Sequence, residues 1–157
     1  MLKVTATLAI VAGILMVGAS SFGVIFTYKN VAQENIVTPE DASIPKAPVR
    51  GPFTLKAQAD IIRTHALKAS DGKTYAEMPG KIPQLDKDGN TVLNEQGEAI
   101  MVSNAARTTW ITATTLTTAL NLGIITYAFS ALVFFMGLVS IWTGITFYLL
   151  SRQRKTS

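Results

Sequence analysis

The feature that most constrains this chain is a pair of long tracts without charge. No acidic, basic or histidine side chain lies between Lys3 and Lys29, and none lies between Arg107 and Arg152. Each tract is longer than the ~20 apolar residues that a helix needs to cross a bilayer. The sequence therefore predicts a membrane α-helical protein, in which two transmembrane helices flank a small extracytoplasmic α+β segment.

The distribution of charge indicates how these spans are oriented. The chain carries 14 basic and 10 acidic residues, which gives a net charge of +4. All of the acidic residues lie between the spans, where basic residues balance them, and the excess comes from Lys3, Arg152, Arg154 and Lys155 at the two ends. Short positively charged ends stay in the cytoplasm. We therefore expect a multi-pass protein of the cell (inner) membrane, with both termini cytoplasmic and the central segment extracytoplasmic. No basic face is left over that would favour nucleic acid.

The first span is predicted to be an N-terminal transmembrane helix over residues 1–28. A removed signal peptide is the competing interpretation, because Val17 and Ala19 fit a small-residue cleavage site. Apolar residues continue through Phe22 and Phe26, however, which is long for the apolar region of a signal peptide. We therefore expect an uncleaved anchor.

The second tract is too long for one crossing. As a helix it would extend about 65 Å, roughly twice the thickness of a hydrocarbon core. Residues 124–150 are almost wholly apolar and are predicted to be the second transmembrane helix, followed by a basic cytoplasmic tail over residues 151–157. Residues 103–123 are rich in threonine, and we expect them to form a helical extension of that span outside the membrane.

The extension has a predicted beginning and a predicted bend. Ser103 or Asn104 is expected to cap it, and Gly123 is the expected position of a bend. Threonine is a mediocre helix former, so contacts with a partner are expected to support this part of the helix.

The segment after the first span is predicted to be an extended Pro-rich strap over residues 29–52. Proline occupies positions 39, 45, 48 and 52, and each proline disfavours a long regular element.

Residues 53–102 are predicted to form a small extracytoplasmic domain of one helix plus hairpins. The helix is indicated by apolar residues at helical spacing, with Thr54 as its N-cap and Asp71-Gly72 at its end. Those apolar residues are Leu55, Ala59, Ile62 and Ala66. Turn signals at Asp88-Gly89 and Gln96-Gly97 then separate short apolar runs, which is typical of a meander of hairpins. Two hairpins alone are marginal in water, so the segment is expected to rest on its helix or on a neighbour.

Small residues in the two spans are candidate helix-packing contacts. Lipid supplies no hydrophobic drive between helices, so close packing depends on residues that let two backbones approach. The candidates are Ala9, Gly13, Ala19 and Gly23 in the first span and Gly137, Ser140 and Gly144 in the second. They would form a contact within the chain or with other subunits, unless they only reflect the frequency of glycine and alanine in such helices.

The residue types present exclude several kinds of chemistry. The chain has no cysteine, which excludes disulfides, thiolate-ligated clusters and covalently attached c-type haem. It has one histidine, so a bis-histidine haem site or a two-histidine metal site cannot form within it. We therefore expect no cofactor, no metal site and no catalytic residue.

Two weaker chemical interpretations remain. His65 with Asp71 or Glu77 could make an acid/base pair, although no nucleophile accompanies them; a polar surface position is the simpler role. Asp86, Asp88 and Asn90 imitate the start of a calcium loop, but Thr91 and Gly97 stand where glycine and glutamate are needed.

Two quoted stretches carry a family resemblance. "GPFTLKAQADIIRTHALKASDGKTYAEM" and "ITATTLTTALNLGIITYAFSALVFFMGLVSIWTG" resemble a family of actinobacterial two-span membrane proteins. The resemblance covers most of the chain, and the region Leu85–Val102 looks variable in that family. Its members look similar to the small accessory subunit found with the cytochrome bcc–aa3 respiratory supercomplex. Some members are labelled ring-opening dioxygenases, but a non-haem iron site needs two histidines and a carboxylate. The resemblance implies no catalytic residue.

Together these observations predict a non-catalytic accessory subunit that stabilises a membrane complex by packing. The expected partners are larger integral membrane subunits, of cytochrome bcc or aa3 oxidase, and lipid; neither nucleic acid nor a small-molecule substrate is expected. An envelope-facing sensor or ligand-binding membrane protein is the alternative, although the cytoplasmic ends are short. A membrane enzyme that uses His65 is the second alternative.

Overall fold

The structure, a computed structural model, describes residues 2–153. Its helices are α1 (Leu2–Gln33), α2 (Pro52–Ala69) and α3 (Ala105–Gln153), and a 3-10 turn occupies Tyr75–Glu77. Two short strands, β1 (Lys81–Pro83) and β2 (Met101–Ser103), pair antiparallel. α1 and α3 are long and apolar enough to cross a membrane. The predicted pattern of two long apolar helices with a small sheet and a short helix between them is therefore confirmed.

α1 continues beyond its predicted end at residue 28 and stops at Gln33. The N–H groups of Glu34 and Asn35 bond to the carbonyls of Val31 and Ala32, which tightens the last turn. Asn35 has a φ of 51°, the left-handed conformation in which many helices end. The first residues of the predicted strap are therefore helical.

The threonine-rich segment and the second apolar stretch form one continuous helix, α3, of 49 residues. Its length is about 74 Å. Asn104 caps it, since the Asn104 Oδ1 accepts a hydrogen bond from the Ala106 N–H at 3.1 Å. The other predicted cap, Ser103, belongs to β2. At the far end, Ser151–Gln153 is helical rather than tail, and residues 154–157 of the predicted tail lie outside the described residues.

α2 runs antiparallel to the N-terminal half of α3. Near its start, Leu55 lies against Gly123 of α3, where an added Cβ would come within 3.2 Å of the Leu55 Cδ1. Near its end, Ala66 packs with Trp110 of α3. α3 is continuous through Gly123, where the missing side chain makes room for Leu55 of α2.

The start of α2 differs from the prediction by a few residues. Gly51, not Thr54, is the N-cap, and Pro52 occupies the first turn, where its missing N–H costs no hydrogen bond. The Thr54 hydroxyl accepts hydrogen bonds from the N–H groups of Arg50 and Gly51. Asp71 and Gly72, both with positive φ, end the helix as predicted.

Residues 34–51 form a closed loop and not an extended strap. Thr38 lies at its centre and is 2% exposed. Its backbone pairs with Ala47 and Lys46, and its hydroxyl bonds within the same loop. Val37 and Pro48 form an isolated antiparallel bridge across the loop. Val49, fully buried, packs with Leu55 in a core shared by the loop, α2 and α3. The prolines prevent a long element, but they do not prevent a compact one.

Residues 81–103 contain the predicted hairpins. Lys81 pairs with Ser103, so the two ends of the segment meet, and smaller bridges join Leu85 to Thr91 and Leu93 to Ala99. Gly89 and Gly97 have φ values of 84° and 80° at the two turns. These glycines supply the positive φ that tight turns require.

Candidate functional site

The contact between α1 and α3 is built from small residues at seven-residue spacing. On α1 the buried residues are Ala6, Gly13, Ser20 and Thr27. On the C-terminal half of α3 they are Ser130, Gly137, Gly144 and Ser151. Residues seven apart return to nearly the same face of a helix. We call this contact the small-residue seam.

Glycines in the seam bring the two backbones into direct contact. An added Cβ at Gly13 would lie 2.6 Å from the Gly137 carbonyl oxygen, and one at Gly137 would lie 2.9 Å from the Gly13 carbonyl oxygen. An added Cβ at Gly144 would lie 2.8 Å from the carbonyl oxygen of Ala6. No larger residue fits at these positions without separating the helices.

Three of the other predicted packing residues, Ala9, Ser140 and Gly23, lie beside the seam, and Ala19 does not. The Ser140 hydroxyl donates a hydrogen bond to the Ala9 carbonyl across the seam at 2.9 Å. Gly23 lies beside Ser130, whose hydroxyl oxygen is 2.8 Å from the position of an added Cβ. Ala19 is exposed and lies outside the seam, while its neighbour Ser20 is inside it.

Five of the eight residues of the seam were not predicted, because the candidates were chosen at three- and four-residue spacing. They are Ala6, Ser20 and Thr27 on α1 and Ser130 and Ser151 on α3. The signal that would have found them is the seven-residue repeat of small residues in both spans, which is typical of two helices that pack along their whole length.

The faces opposite the seam are apolar and uncovered. On α1, Leu8, Leu15 and Phe22 are 64–68% exposed. On α3, Leu132 and Val139 are 56% and 64% exposed. Within the most apolar stretch of each long helix, only 11% of the residues are buried against the rest of the chain. Core helices of soluble proteins are mostly buried, and large apolar patches are rarely left exposed to water, so this exposure is compatible with two membrane-spanning helices.

Two hydrogen bonds of Arg50 join the loop of residues 34–51 to α1 and to α3. The Tyr127 hydroxyl of α3 donates to the Arg50 carbonyl at 2.8 Å. The Arg50 guanidinium donates to the carbonyl of Ala32, in the last turn of α1, also at 2.8 Å. A positive side chain at that end of a helix satisfies a free carbonyl and complements the helix dipole. These bonds fix the point at which α2 replaces α1 as the neighbour of α3.

The chain's only histidine pairs with a residue that the sequence analysis did not select. The His65 Nε2 lies 2.7 Å from the Asp41 Oδ2, so the side chains join α2 to the loop. This hydrogen bond holds the pKa of the Asp41 carboxyl below its ordinary value of 3.8. Both side chains are about half exposed.

The two predicted acidic partners of His65 have other positions. Asp71 lies at the end of α2 with a φ of 52°. The Glu77 carboxylate accepts hydrogen bonds from the N–H and hydroxyl of Thr74, which lowers its pKa. Neither supplies an acid/base pair for His65.

Asp86, the first residue of the segment that imitates a calcium loop, makes hydrogen bonds to the backbone of its own turn. The Asp86 Oδ1 accepts hydrogen bonds from the N–H groups of Asp88 and Asn90, which hold its pKa below the ordinary value. The Asn94 Oδ1 makes the same pair of bonds one repeat later, to Gln96 and Glu98. The segments "LDKDGNTV" and "LNEQGEAI" are thus two copies of one turn. In the described part of the chain, no group of three or more metal-ligating side chains comes together.

A cavity of about 230 Å³, lined by polar and apolar side chains, lies where α2 meets the threonine-rich part of α3. Arg63 lies over the Trp110 ring at 5.7 Å from its centroid, and Thr114, Thr118 and Asn121 line the same cavity. Thr114, Thr118 and Asn121 form a polar face on the N-terminal half of α3.

Comparison with known proteins gave no relative. No family model, no curated protein and no solved structure matches this chain.

Proposed function

We propose that this chain is a two-span membrane subunit without catalytic activity, which stabilises a larger complex by packing. The observation that carries the proposal is the division of its surface. Small residues seal the two long helices to each other, while the large apolar side chains point away from the seam. A chain with this surface needs apolar surroundings, supplied by lipid and by other membrane subunits.

The lengths of the helices support membrane crossing. From Tyr127 to Tyr148, α3 rises about 32 Å, close to the ~30 Å of a hydrocarbon core. Tyr28 and Tyr127 lie at the outer boundary in this placement, and Tyr148 lies at the inner one, as expected for aromatic residues at bilayer interfaces. The positive residues at both ends favour cytoplasmic termini, so α2 and the hairpins lie outside the cytoplasm.

The outer half of the molecule supports a scaffolding role. Above Tyr127, α3 continues as a helix against α2, so the two helices project rigidly from the membrane. The exposed threonines of α3 and the hairpins of residues 81–103 then present a defined polar surface. Such a surface suits contact with the extracytoplasmic parts of larger subunits.

The family resemblance suggests which complex this is. We propose the actinobacterial cytochrome bcc–aa3 supercomplex, in which the partner subunits carry the redox centres. In this reading the present chain contributes buried area and restricted motion, and electrons and protons move elsewhere.

The experiment that tests the proposal is isolation from native membranes. A tagged copy, extracted in mild detergent, is expected to bring haem-containing subunits with it in constant proportion, measured by reduced-minus-oxidised absorption. Leu15→Arg and Val139→Arg place a charge on the uncovered face of α1 or α3 and leave the seam intact. At least one of them is expected to abolish co-isolation, because a buried unpaired charge is costly.

The matched control is Thr7→Arg at an exposed position near the cytoplasmic end, where a long basic side chain can reach the interface. Isolation of a colourless, solitary chain from native membranes would contradict the proposal. Activity that disappears in His65→Ala, with the complex intact, would instead favour the enzyme alternative. A ligand bound in the cavity beside Trp110, with no co-isolated subunit, would favour the sensor.

A further inference from the structure

A groove of about 560 Å³ lies between α1 and α3, on the half of their contact that is nearer to α2. Its walls are mostly apolar, with Val24 and Ile25 on α1 and Phe134 and Phe135 on α3. The two serine hydroxyls on its α1 wall, of Ser20 and Ser21, both donate to the Val17 carbonyl. They therefore offer little to a polar ligand, and the groove suits an apolar chain.

The depth of the groove matches one leaflet. Its α3 wall runs from Tyr127 to Phe135, a rise of about 12 Å along the helix. Half of a hydrocarbon core is about 15 Å thick. Tyr127 lies at the upper end, where its hydroxyl bonds to the loop, so the groove begins at the outer interface and descends from it.

The first turn of α2 covers the upper end. Pro52 lines the groove, and the next residue, Phe53, is 80% exposed. Phe53 lies on α2 and not in either long helix, directly beside the groove-lining Pro52. At the outer interface the same ring would lie among lipid chains and headgroups, where aromatic side chains are favoured.

From these observations we infer a lipid site: one acyl chain of an outer-leaflet phospholipid occupies the groove, under Pro52 and beside Phe53. The inference rests on the proposed placement of the hairpin in a membrane. It does not depend on the partner subunits, because both walls of the groove belong to this chain. The bound chain fills a gap between the helices that the seam leaves open, and it fixes the level of α2 above the bilayer.

The test is native mass spectrometry of the purified chain, released from detergent micelles. We expect the wild-type protein to retain one phospholipid per chain as detergent is increased. Ala131→Phe adds a ring to the groove from an exposed position, so it is expected to lower retention at least 10-fold. Ala12→Phe, the same change at an exposed alanine outside this groove, is expected to retain the lipid as wild type does.

Equal retention by the three proteins, or no retention by the wild type, would overturn the inference. Release of the chain from membranes by alkaline carbonate would instead overturn the membrane placement itself. Failure of co-isolation with haem proteins would leave the lipid result unaffected, so the two proposals fail separately.

A second measurement locates Phe53. With Trp110 and Trp142 both replaced by phenylalanine, Phe53→Trp provides a single fluorescent residue in nanodiscs. Lipids brominated high on the acyl chain are expected to quench it by at least half. Ala69→Trp, at the other end of α2 and about 25 Å farther along the helix, is expected to be unaffected. Equal quenching at both positions, or none at Phe53→Trp, would contradict the position assigned to α2.

Discussion

Replacement of Gly13 by alanine tests the seam directly. The added Cβ would lie 2.6 Å from the Gly137 carbonyl oxygen and 2.6 Å from the Ile141 Cγ1. The carbonyl belongs to the backbone of α3, so it can move only if the helices separate. Overpacking of this kind costs about 1–3 kcal/mol. Alanine is a better helix former than glycine by up to about 1 kcal/mol, which offsets part of the loss. We expect a net destabilisation of about 1–2 kcal/mol.

The matched control is Gly18→Ala on the same helix. No atom lies within 4 Å of an added Cβ there, so only the gain in helix propensity remains. Stability is measured by titration with sodium dodecyl sulfate, monitored by energy transfer between dyes on cysteines introduced at Thr7 and Leu149. The chain has no native cysteine that would compete for the dyes. If Gly13→Ala were as stable as Gly18→Ala, the close backbone contact described here would be incorrect.

Three other predictions concern α2, the loop of residues 34–51 and the part of α3 that packs against them. Leu55→Ala removes a side chain that is 1% exposed and packs against Gly123, so it is expected to lower the stability of the fold by about 2–5 kcal/mol. Amide hydrogen exchange should become faster in residues 105–122 but not in residues 130–150. Unchanged exchange would show that the threonine-rich helix does not depend on α2. Tyr127→Phe removes the hydrogen bond to the Arg50 carbonyl, and we expect the free energy of unfolding to fall by about 0.5–1.5 kcal/mol, with faster amide exchange near Val49. Tyr28→Phe should change neither the stability nor the exchange. Equal effects of the two substitutions would argue against the role of Tyr127. The pKa of Asp41 is lowered in the folded chain, so the contribution of this carboxylate to stability is present above pH 3.8 and is lost as the pH falls through the folded value. NMR of the carboxyl carbon should show titration below pH 3.8 in the wild type and a return towards 3.8 in His65→Ala. An identical titration in both proteins would refute the pairing.

The elements that depend on local sequence could be predicted. Two tracts without charge were enough to indicate α1 and α3, since only an apolar environment tolerates helices of that length and composition. The glycines of the turns at residues 89 and 97 were also informative, because a positive φ is a local requirement. The end of α2 at Asp71-Gly72 follows the same logic.

The elements that depend on contacts distant in sequence could not be predicted in this way. The threonine-rich segment of α3 has modest helix propensity, and the partner that supports it is α2 of the same chain. The prolines of residues 34–51 indicated an extended strap, but Thr38 and Val49 close the segment into a loop through contacts that no local pattern encodes. His65 was considered with Asp71 and Glu77, its neighbours in sequence, and the fold instead places it beside Asp41.

Deletion of this chain tests the central claim, the proposed accessory role, most directly, and the measurement is the detergent resistance of the proposed cytochrome bcc–aa3 supercomplex. If the chain has this role, we expect the complex to assemble and to turn over at the normal rate per haem in intact membranes, but to dissociate at a lower detergent concentration than the wild type. Restoration of the full-length chain should return the wild-type resistance, and restoration of the Gly13→Ala form should return less of it. A complex of unchanged resistance, or one that loses turnover while it remains assembled, would contradict the account.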